Sequence, residues 1–307
     1  MKKYLMFMLA AAFMASCSDN NENLPEDDGD DSGKTSVFEE HDGYFIYHGE
    51  TYKTVKLANG TTWMAEPLRY VPEGYTPSGD PTTDSHIWYP YRLIVNEGNN
   101  TINADNFEVL KDETSIKKHG YLYDMYAALG GKEVTEDNCY EFEGTQGICP
   151  EGWHIPTHAE YLALVGNTTK DVDGNTPSDA EKAKAIFYNK DYDGAKIQSF
   201  IDAGLNYQFS GVRMSTGYTS TPKYQLNVIG KGNSTKTEWY ESPAMNYYMT
   251  STAYKPSYNS TTNILSNIQF FGLMSTFTLA KYPEGRLTLA YISVLSGQTL
   301  RCVKDQK

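Results

Sequence analysis

Four cysteines, Cys17, Cys139, Cys149 and Cys302, are the residues best suited to covalent chemistry in this chain of 307 residues. No Cys-x-x-Cys occurs among them, so neither a zinc ribbon nor a thioredoxin-type site is indicated. Cys17 follows an N-terminal apolar run and is taken up below. The other three are an odd number, which predicts one disulfide and one leftover thiol. Cys149 with Cys302 is the first choice, because it would tie a helix start to the last strand. It would close a loop of about 150 residues, worth roughly 4–5 kcal/mol if unstrained. Cys139 with Cys149, a short local loop, is the rival. His154 and His158 are four apart, a spacing that on one helix would suit a metal. A helix that starts at Thr157 leaves His154 outside it, so turn packing and solvent exposure account for both. Asp171-Val172-Asp173-Gly174-Asn175 resembles the opening of a calcium loop, yet Thr176 stands where glycine is needed and Lys182 where the bidentate glutamate belongs. Nucleophile elbows, phosphate loops and His-Glu-x-x-His are missing. No catalytic residue, metal or cofactor is therefore assigned.

Recognition is better supplied than catalysis. Trp88-Tyr89-Pro90-Tyr91 and Trp239-Tyr240 place aromatic faces in loop-rich sequence, with Tyr247-Tyr248 as a further pair. Such faces stack on sugars and anchor protein interfaces. Trp88, Tyr89, Tyr91, Trp239 and Tyr240 are the candidate ligand contacts, and core or loop packing is the alternative for each. Trp63 and Trp153 read as core. The chain holds 25 Tyr, 12 Phe and 4 Trp, which also suits a β-rich extracellular domain. A net charge of −13 leaves no basic face for phosphates, so nucleic acid is excluded as a partner.

These residues need a frame. Tyr44-Phe45-Ile46-Tyr47, Thr51 to Leu57 and Thr61 to Ala65 form a β-meander, with Asn59-Gly60 as a hairpin turn. Val71 to Lys118, rich in proline and glycine, reads as long loops with one or two strands, including Tyr91 to Val95. Leu122, Met125, Tyr126 and Leu129 share a helical face, predicting a helix over 121–129 ended by Gly130-Gly131. Thr157 with Glu160 is a capping box, Tyr161, Leu164 and Val165 face the core, and Gly166 stops that helix. Thr176-Pro177-Ser178-Asp179 predicts another helix, capped by Thr176 and running to about Tyr188. From Ala203 onward strand signals return, as at Tyr247 to Thr252, Ile268 to Thr278, Leu287 to Val294 and Thr299 to Val303. Strands, helices, strands is an α+β order: antiparallel strands flanking two or three helices, with long irregular loops.

Lys2 and Lys3 precede an apolar run, Tyr4 to Met14, too short to span a bilayer. Met14-Ala15-Ser16-Cys17 resembles the lipobox of bacterial lipoproteins, in which the cysteine is acylated. Residues 1–16 are then a signal peptide, and Cys17 is a lipid anchor firm enough for stable membrane attachment. Residues 17–36 are acidic and polar, a flexible tether that cannot bury enough apolar surface to fold. Ser18-Asp19-Asn20-Asn21-Glu22 resembles surface-export signals of Bacteroidota lipoproteins. An outer-membrane location facing the cell surface is expected, with residues 37–307 as one globular domain.

Four blocks carry a family resemblance. They are Trp63-Met64-Ala65-Glu66-Pro67-Leu68, His119-Gly120-Tyr121-Leu122-Tyr123, Cys149 to Tyr161, and Thr299-Leu300-Arg301-Cys302-Val303. In this order they resemble the Fibrobacter succinogenes major paralogous domain over roughly Tyr44 to Asp305. Pro67 and Tyr161 depart from the family's Asn and Trp, and Met249-Thr250-Ser251-Thr252 only loosely echoes its Trp-Ser-Ser-Thr. The resemblance implies an envelope lipoprotein and assigns no activity. Pro156-Thr157-x-x-Glu160 and Arg301 also look like the formylglycine-generating-enzyme group, which implies a C-type-lectin-like fold. The calcium-dependent sugar signatures of that fold are absent, since Leu68 follows Glu66-Pro67. The expected function is a non-enzymatic surface module binding glycan or protein. A structural envelope subunit is the alternative, and a hydrolase or oxidase the third reading.

Overall fold

A computed structural model of the chain describes residues 37–95, 102–166, 175, 177–216, 223–226, 246–254, 268–278 and 282–306. Cys17, the tether, Asp171 to Gly174, Trp239 and Tyr240 lie outside the described residues.

Tyr44–Tyr47 and Glu50–Lys56 pair antiparallel from Tyr44↔Lys53 to Tyr47↔Glu50. The turn between them places His48 at φ 48° and Gly49 at φ 79°, the two left-handed residues that a tight hairpin matched to strand twist requires. Phe38–His41 pairs on one side of this hairpin and Thr62–Met64 on the other. Val303–Lys304 then joins Thr62–Met64 to Trp153–His154, completing a six-stranded sheet. The last strand in chain order thus lies between two elements far from it in sequence.

An eight-stranded sheet runs in the order Tyr188–Asn189, Gly194–Lys196, Tyr282–Ser293, Gln269–Thr278, Tyr247–Tyr254, Gln298–Thr299, Leu122–Tyr123, Ile87–Trp88. Tyr248↔Thr299 is a parallel pairing; the other pairings between these strands are antiparallel. Two ribbons, Tyr91–Val95 with Ile102–Val109 and Arg213–Thr216 with Lys223–Leu226, complete the described strands. Five short α-helices accompany them among the described residues: α1 Glu113–His119, α2 Met125–Ala128, α3 His158–Val165, α4 Asp179–Lys182 and α5 Ile197–Asp202. The architecture is α+β and mostly sheet.

Side chains alternate across a strand, and Thr62–Met64 uses this to divide the interior. Met64 packs with Phe45, Tyr52, Tyr123, Trp153 and Phe270. Trp63 points the other way, onto Tyr161, Leu164, Phe200, Leu273 and Leu289, where α3 and α5 cover the larger sheet. Both Trp63 and Trp153 are core residues. The capping box of α3 forms as expected: the Thr157 hydroxyl accepts from the Glu160 N–H, and the Glu160 carboxylate accepts from the Thr157 N–H. Gly166 closes α3 at φ 76°, where a Cβ would lie 2.7 Å from the Lys182 carbonyl oxygen, so only glycine fits.

Three sequence expectations are corrected. The helix over 121–129 is only its second half. Leu122–Tyr123 is instead a strand paired on both edges, and Asp124 caps α2 by accepting from the Ala127 N–H. Sheet pairing on two sides outweighs the helical periodicity of this segment. The helix expected from Thr176 to about Tyr188 is the short α4, capped by Ser178 in a capping box with Glu181. Within the segment read as loops, α1 forms, capped by Asp112 and closed by Gly120.

Cys149 is bonded to Cys302, 153 residues away, with a Cα–Cα distance of 5.9 Å. Cys139 is the free thiol, and it is buried.

Candidate binding cleft

The edge of the eight-stranded sheet is an antiparallel pair in which Ile87 faces Tyr123 and Trp88 faces Leu122. The register carries on to Tyr89 opposite Tyr121 at one end and His86 opposite Asp124 at the other. Paired residues share a face and successive pairs alternate. Trp88 and Leu122 therefore turn to one side, where Tyr91, Phe107 and Val109 bury them. The next pair, Tyr89 and Tyr121, turns to the other side and stays partly exposed, with ring centroids 5.6 Å apart at 63°.

Beside this tyrosine pair lies a cleft of about 240 Å³ lined by Tyr121, Glu50, Arg69, Lys111 and, from α1, Glu113 and Lys117. Arg69 forms its floor. The guanidinium lies 4.1 Å over the Tyr52 ring and donates to Thr51 O at 2.7 Å, Glu50 at 3.3 Å and Glu66 at 3.4 Å. Lys117 bonds Glu113 at 2.7 Å across one helical turn. Lys111 has neither arrangement. Its ammonium lies 5.5 Å over the Tyr89 ring, and its aliphatic stem rests against Gly79. The wall thus offers cations, carboxylate acceptors and an aromatic face within a few ångströms.

The far end of the same edge is built differently. His86 Nδ1 and Asp124 Oδ2 are 2.7 Å apart, and Asp124 N–H donates to His86 O. The hydrogen bond to Asp124 raises the His86 pKa above its ordinary value, with burial opposing. Tyr126 packs on the imidazole at 4.7 Å. His86 sits at φ 62°, an uncommon conformation for a residue with a side chain.

The other chemistry-bearing residues are structural. His154 joins Glu160 at 3.0 Å and Asp305 at 2.6 Å. Burial alone would lower its pKa, but the bonds and charges of Glu160 and Asp305 win and raise it. Burial likewise pushes Glu160 up, and its bonds to His154 and Thr157 bring the net shift down. His158 is not the solvent-exposed residue expected: it is buried and stacked on Phe271 at 3.8 Å. Among the described residues no group of three or more His, Cys, Asp and Glu is placed to hold a metal.

The four sequence blocks converge on one interior network. Arg301 donates to the carbonyls of Met64, Ala65 and Asn206 and to the Tyr248 hydroxyl, and lies 4.8 Å over the Tyr248 ring. Met64 N–H donates to Cys302 O, and Leu68 N–H to Leu300 O. The Tyr123 hydroxyl donates to Tyr70 O at 2.8 Å. Ser251, from the segment that loosely echoes the family's Trp-Ser-Ser-Thr, joins this network: its hydroxyl donates to Ile155 O and accepts from Gly144 N–H, each at 2.9 Å. A match to the family description "Fibrobacter succinogenes major domain" covers residues 55–304. The chain belongs to that family. No curated protein and no solved structure matches it. The family's motif positions here are the scaffold, since Arg301, Cys149, Cys302, Trp63 and Trp153 are all buried.

The candidate contacts divide accordingly. Trp88 is 0 % exposed, with Arg213 3.9 Å over its ring, and Tyr91 is 2 % exposed, edge-on to Phe107. Neither presents a face to a ligand, which corrects the expectation: strand alternation turns Trp88 inward, and Tyr91 packs into the same buried cluster. Tyr89 alone of the three reaches the cleft region. Tyr121, Lys111, Glu113 and Lys117 were not singled out from the sequence. The signals were present in Asp112 as an N-cap and in the Glu113–Lys117 spacing of four, inside a segment dominated by turn residues.

Proposed function

We propose that this member of the Fibrobacter succinogenes major domain family is a non-enzymatic binding lipoprotein of the cell envelope. Cys17 is its lipid anchor, residues 17–36 its tether, and the outer membrane its location, with the domain facing the cell surface. The sequence of the first 36 residues supports this part of the reading. The domain is C-type-lectin-like, a reading supported by the pairing of the early strand Thr62–Met64 with the late strand Val303–Lys304 and by the helix start at Thr157.

One observation carries the binding function: the cleft beside Tyr89 and Tyr121. Its polar walls belong largely to the segment 71–118, apart from the buried motif network. A scaffold that holds Trp63, Trp153, Arg301 and the disulfide inside and presents a charged, aromatic-edged cleft at its surface is suited to recognition of glycan or protein. The test is a panel of glycans and extracellular proteins presented to the full chain in detergent. A specific partner whose affinity falls about tenfold or more with Tyr121→Ala supports the reading. A partner insensitive to both Tyr121→Ala and Tyr89→Ala moves recognition away from the cleft.

A second reading, a subunit that docks on a partner chain, draws on the pair Tyr254 and Tyr291. Their rings stack at 4.6 Å on the large sheet, and Tyr291 is half exposed. Cross-linking on cells that captures one stoichiometric partner, lost in Tyr291→Glu, would favour it.

A further inference from the structure

The cleft also constrains the chemistry of its ligand, and this step rests on the binding reading above. Its three cations are not equivalent. Arg69 is consumed, because its side chain is 5 % exposed and bonded to Glu50, Glu66 and the carbonyls of Thr51 and Lys117. Four of its five N–H donors are spent and the side chain is buried, so it cannot turn its fork toward an incoming anion. Lys117 is matched by Glu113, but both side chains are exposed and such a pair is worth little, so the lysine is readily diverted. Lys111 makes no ion pair with any described residue and is held only by the Tyr89 face and the Gly79 backbone. The position of Gly79 matters: a Cβ there would lie 3.0 Å from Lys111 Cε, so the stem lies flush on the backbone. The cleft therefore keeps one positive charge poised over an aromatic ring and uncancelled by any described carboxylate.

Two lining carboxylates set a second condition. Glu50 and Glu113 are acceptors only, and an anionic ligand that approached them without donors would be repelled. The ligand must bring hydroxyl donors to these carboxylates and one anionic group to Lys111. It must also bring a flat C–H face to Tyr121. The volume of about 240 Å³ lies below the ~300–1,000 Å³ of pockets that enclose drug-sized ligands, and suits a single unit of a longer chain.

We infer that the cleft binds a carboxylated sugar: a uronic-acid unit of an acidic glycan, its carboxylate on Lys111, its hydroxyls on Glu50 and Glu113, and its ring face against Tyr121. An acidic peptide satisfies Lys111 and can donate to the glutamates, but it does not bring a rigid C–H ring face to Tyr121 along with adjacent hydroxyls. A neutral sugar satisfies the glutamates and leaves Lys111 without a partner.

The experiment compares the full chain in detergent against di- and trisaccharides of galacturonate, glucuronate and mannuronate. Each is paired with its carboxyl-reduced, neutral counterpart, and binding is followed by calorimetry. At least one uronate is expected to bind about tenfold or more tightly than its neutral partner. Lys111→Gln, which keeps the length of the stem, abolishes that preference, whereas Tyr121→Ala weakens both members of the pair. Raising the salt concentration narrows the gap in the parent chain and leaves Lys111→Gln unmoved. Equal affinity for each pair, or a preference that survives Lys111→Gln, overturns the acidic class while the binding reading stands. Failure of every sugar to bind well-folded protein overturns this inference. A protein partner from the earlier panel that still depends on Tyr121 would leave the binding reading intact in that case.

Discussion

Two buried arginines show how differently this molecule treats its interior and its cleft. Arg301 lies over Tyr248 and hands its donors to three backbone carbonyls and a hydroxyl, with no described carboxylate in the set. Arg69 lies over Tyr52 in the same cation–π manner but shares two carboxylates, one of which lines the cleft. The first arginine staples strands that are distant in sequence. The second supports a wall whose other members remain open to solvent. Similar local chemistry serves closure in one place and a receptive surface in the other. The difference lies in the partners: Arg301 bonds only carbonyls and a buried hydroxyl, whereas Arg69 adds two carboxylates, one of them on the exposed Glu50 side chain.

Substitutions in the closure should cost stability and those in the cleft should not. The largest effect belongs to Cys302→Ser, which frees a loop of 153 residues in the unfolded chain. A loss of about 4–5 kcal/mol is expected from loop-closure entropy. An unaltered urea midpoint under non-reducing conditions would show that the bridge contributes nothing. Arg301→Met should follow at about 3 kcal/mol or more, because three carbonyls lose their donor. Arg301→Lys is expected to recover little of it, since one ammonium cannot reproduce the planar fork. A lysine variant as stable as the parent would remove the geometric argument. Ser251→Ala takes a donor from Ile155 O and an acceptor from Gly144 N–H, for an expected loss of about 1–3 kcal/mol by thermal or denaturant unfolding.

The ion cluster at His154 adds a pH signature. The raised His154 pKa gives stability that is complete below its unfolded value of 6.5 and fades as pH rises through the folded value. The lowered Glu160 pKa gives stability that is complete above 4.5 and fades as pH falls through its folded value. Both contributions are full between those limits, so the unfolding midpoint should decline on either side. His154→Gln should flatten the alkaline decline, and a slope unchanged by that substitution would assign it to other groups. The smallest stability effect is expected at the cleft, where Lys111→Gln should shift unfolding by no more than about 0.5 kcal/mol. A shift several times larger would mean that Lys111 belongs to the closure after all.

The sequence made the closure legible and left the cleft obscure, for physical reasons. Thr157 and Glu160 form a local motif three residues apart, and the turn at Asn59-Gly60 is equally local, so both could be read directly. Three cysteines allow three pairings, and the packing of Val303–Lys304 beside Trp153–His154 brings Cys302 to Cys149, the first choice, rather than leaving the short Cys139–Cys149 loop to close. Trp88 and Tyr91 were misjudged because aromatic residues in a proline-rich stretch look alike whether they face in or out. Only the register Trp88↔Leu122 decides the side, and that partner is supplied by residues read as helix. The cleft combines Glu50, Arg69, Lys111 and Tyr121, drawn from separate elements. No spacing in the chain announces their meeting.

One consequence of the late strand concerns timing. A chain synthesised N-terminus first exposes the meander and the Trp153 segment well before Val303–Lys304 can sit between them. Until then Thr62–Met64 and Trp153–His154 each lack a neighbour, and Cys149 has no Cys302 to meet. The domain therefore completes its topology only after nearly all of it has been made. This order makes the insertion of one short strand and the closing of one disulfide the last steps of assembly.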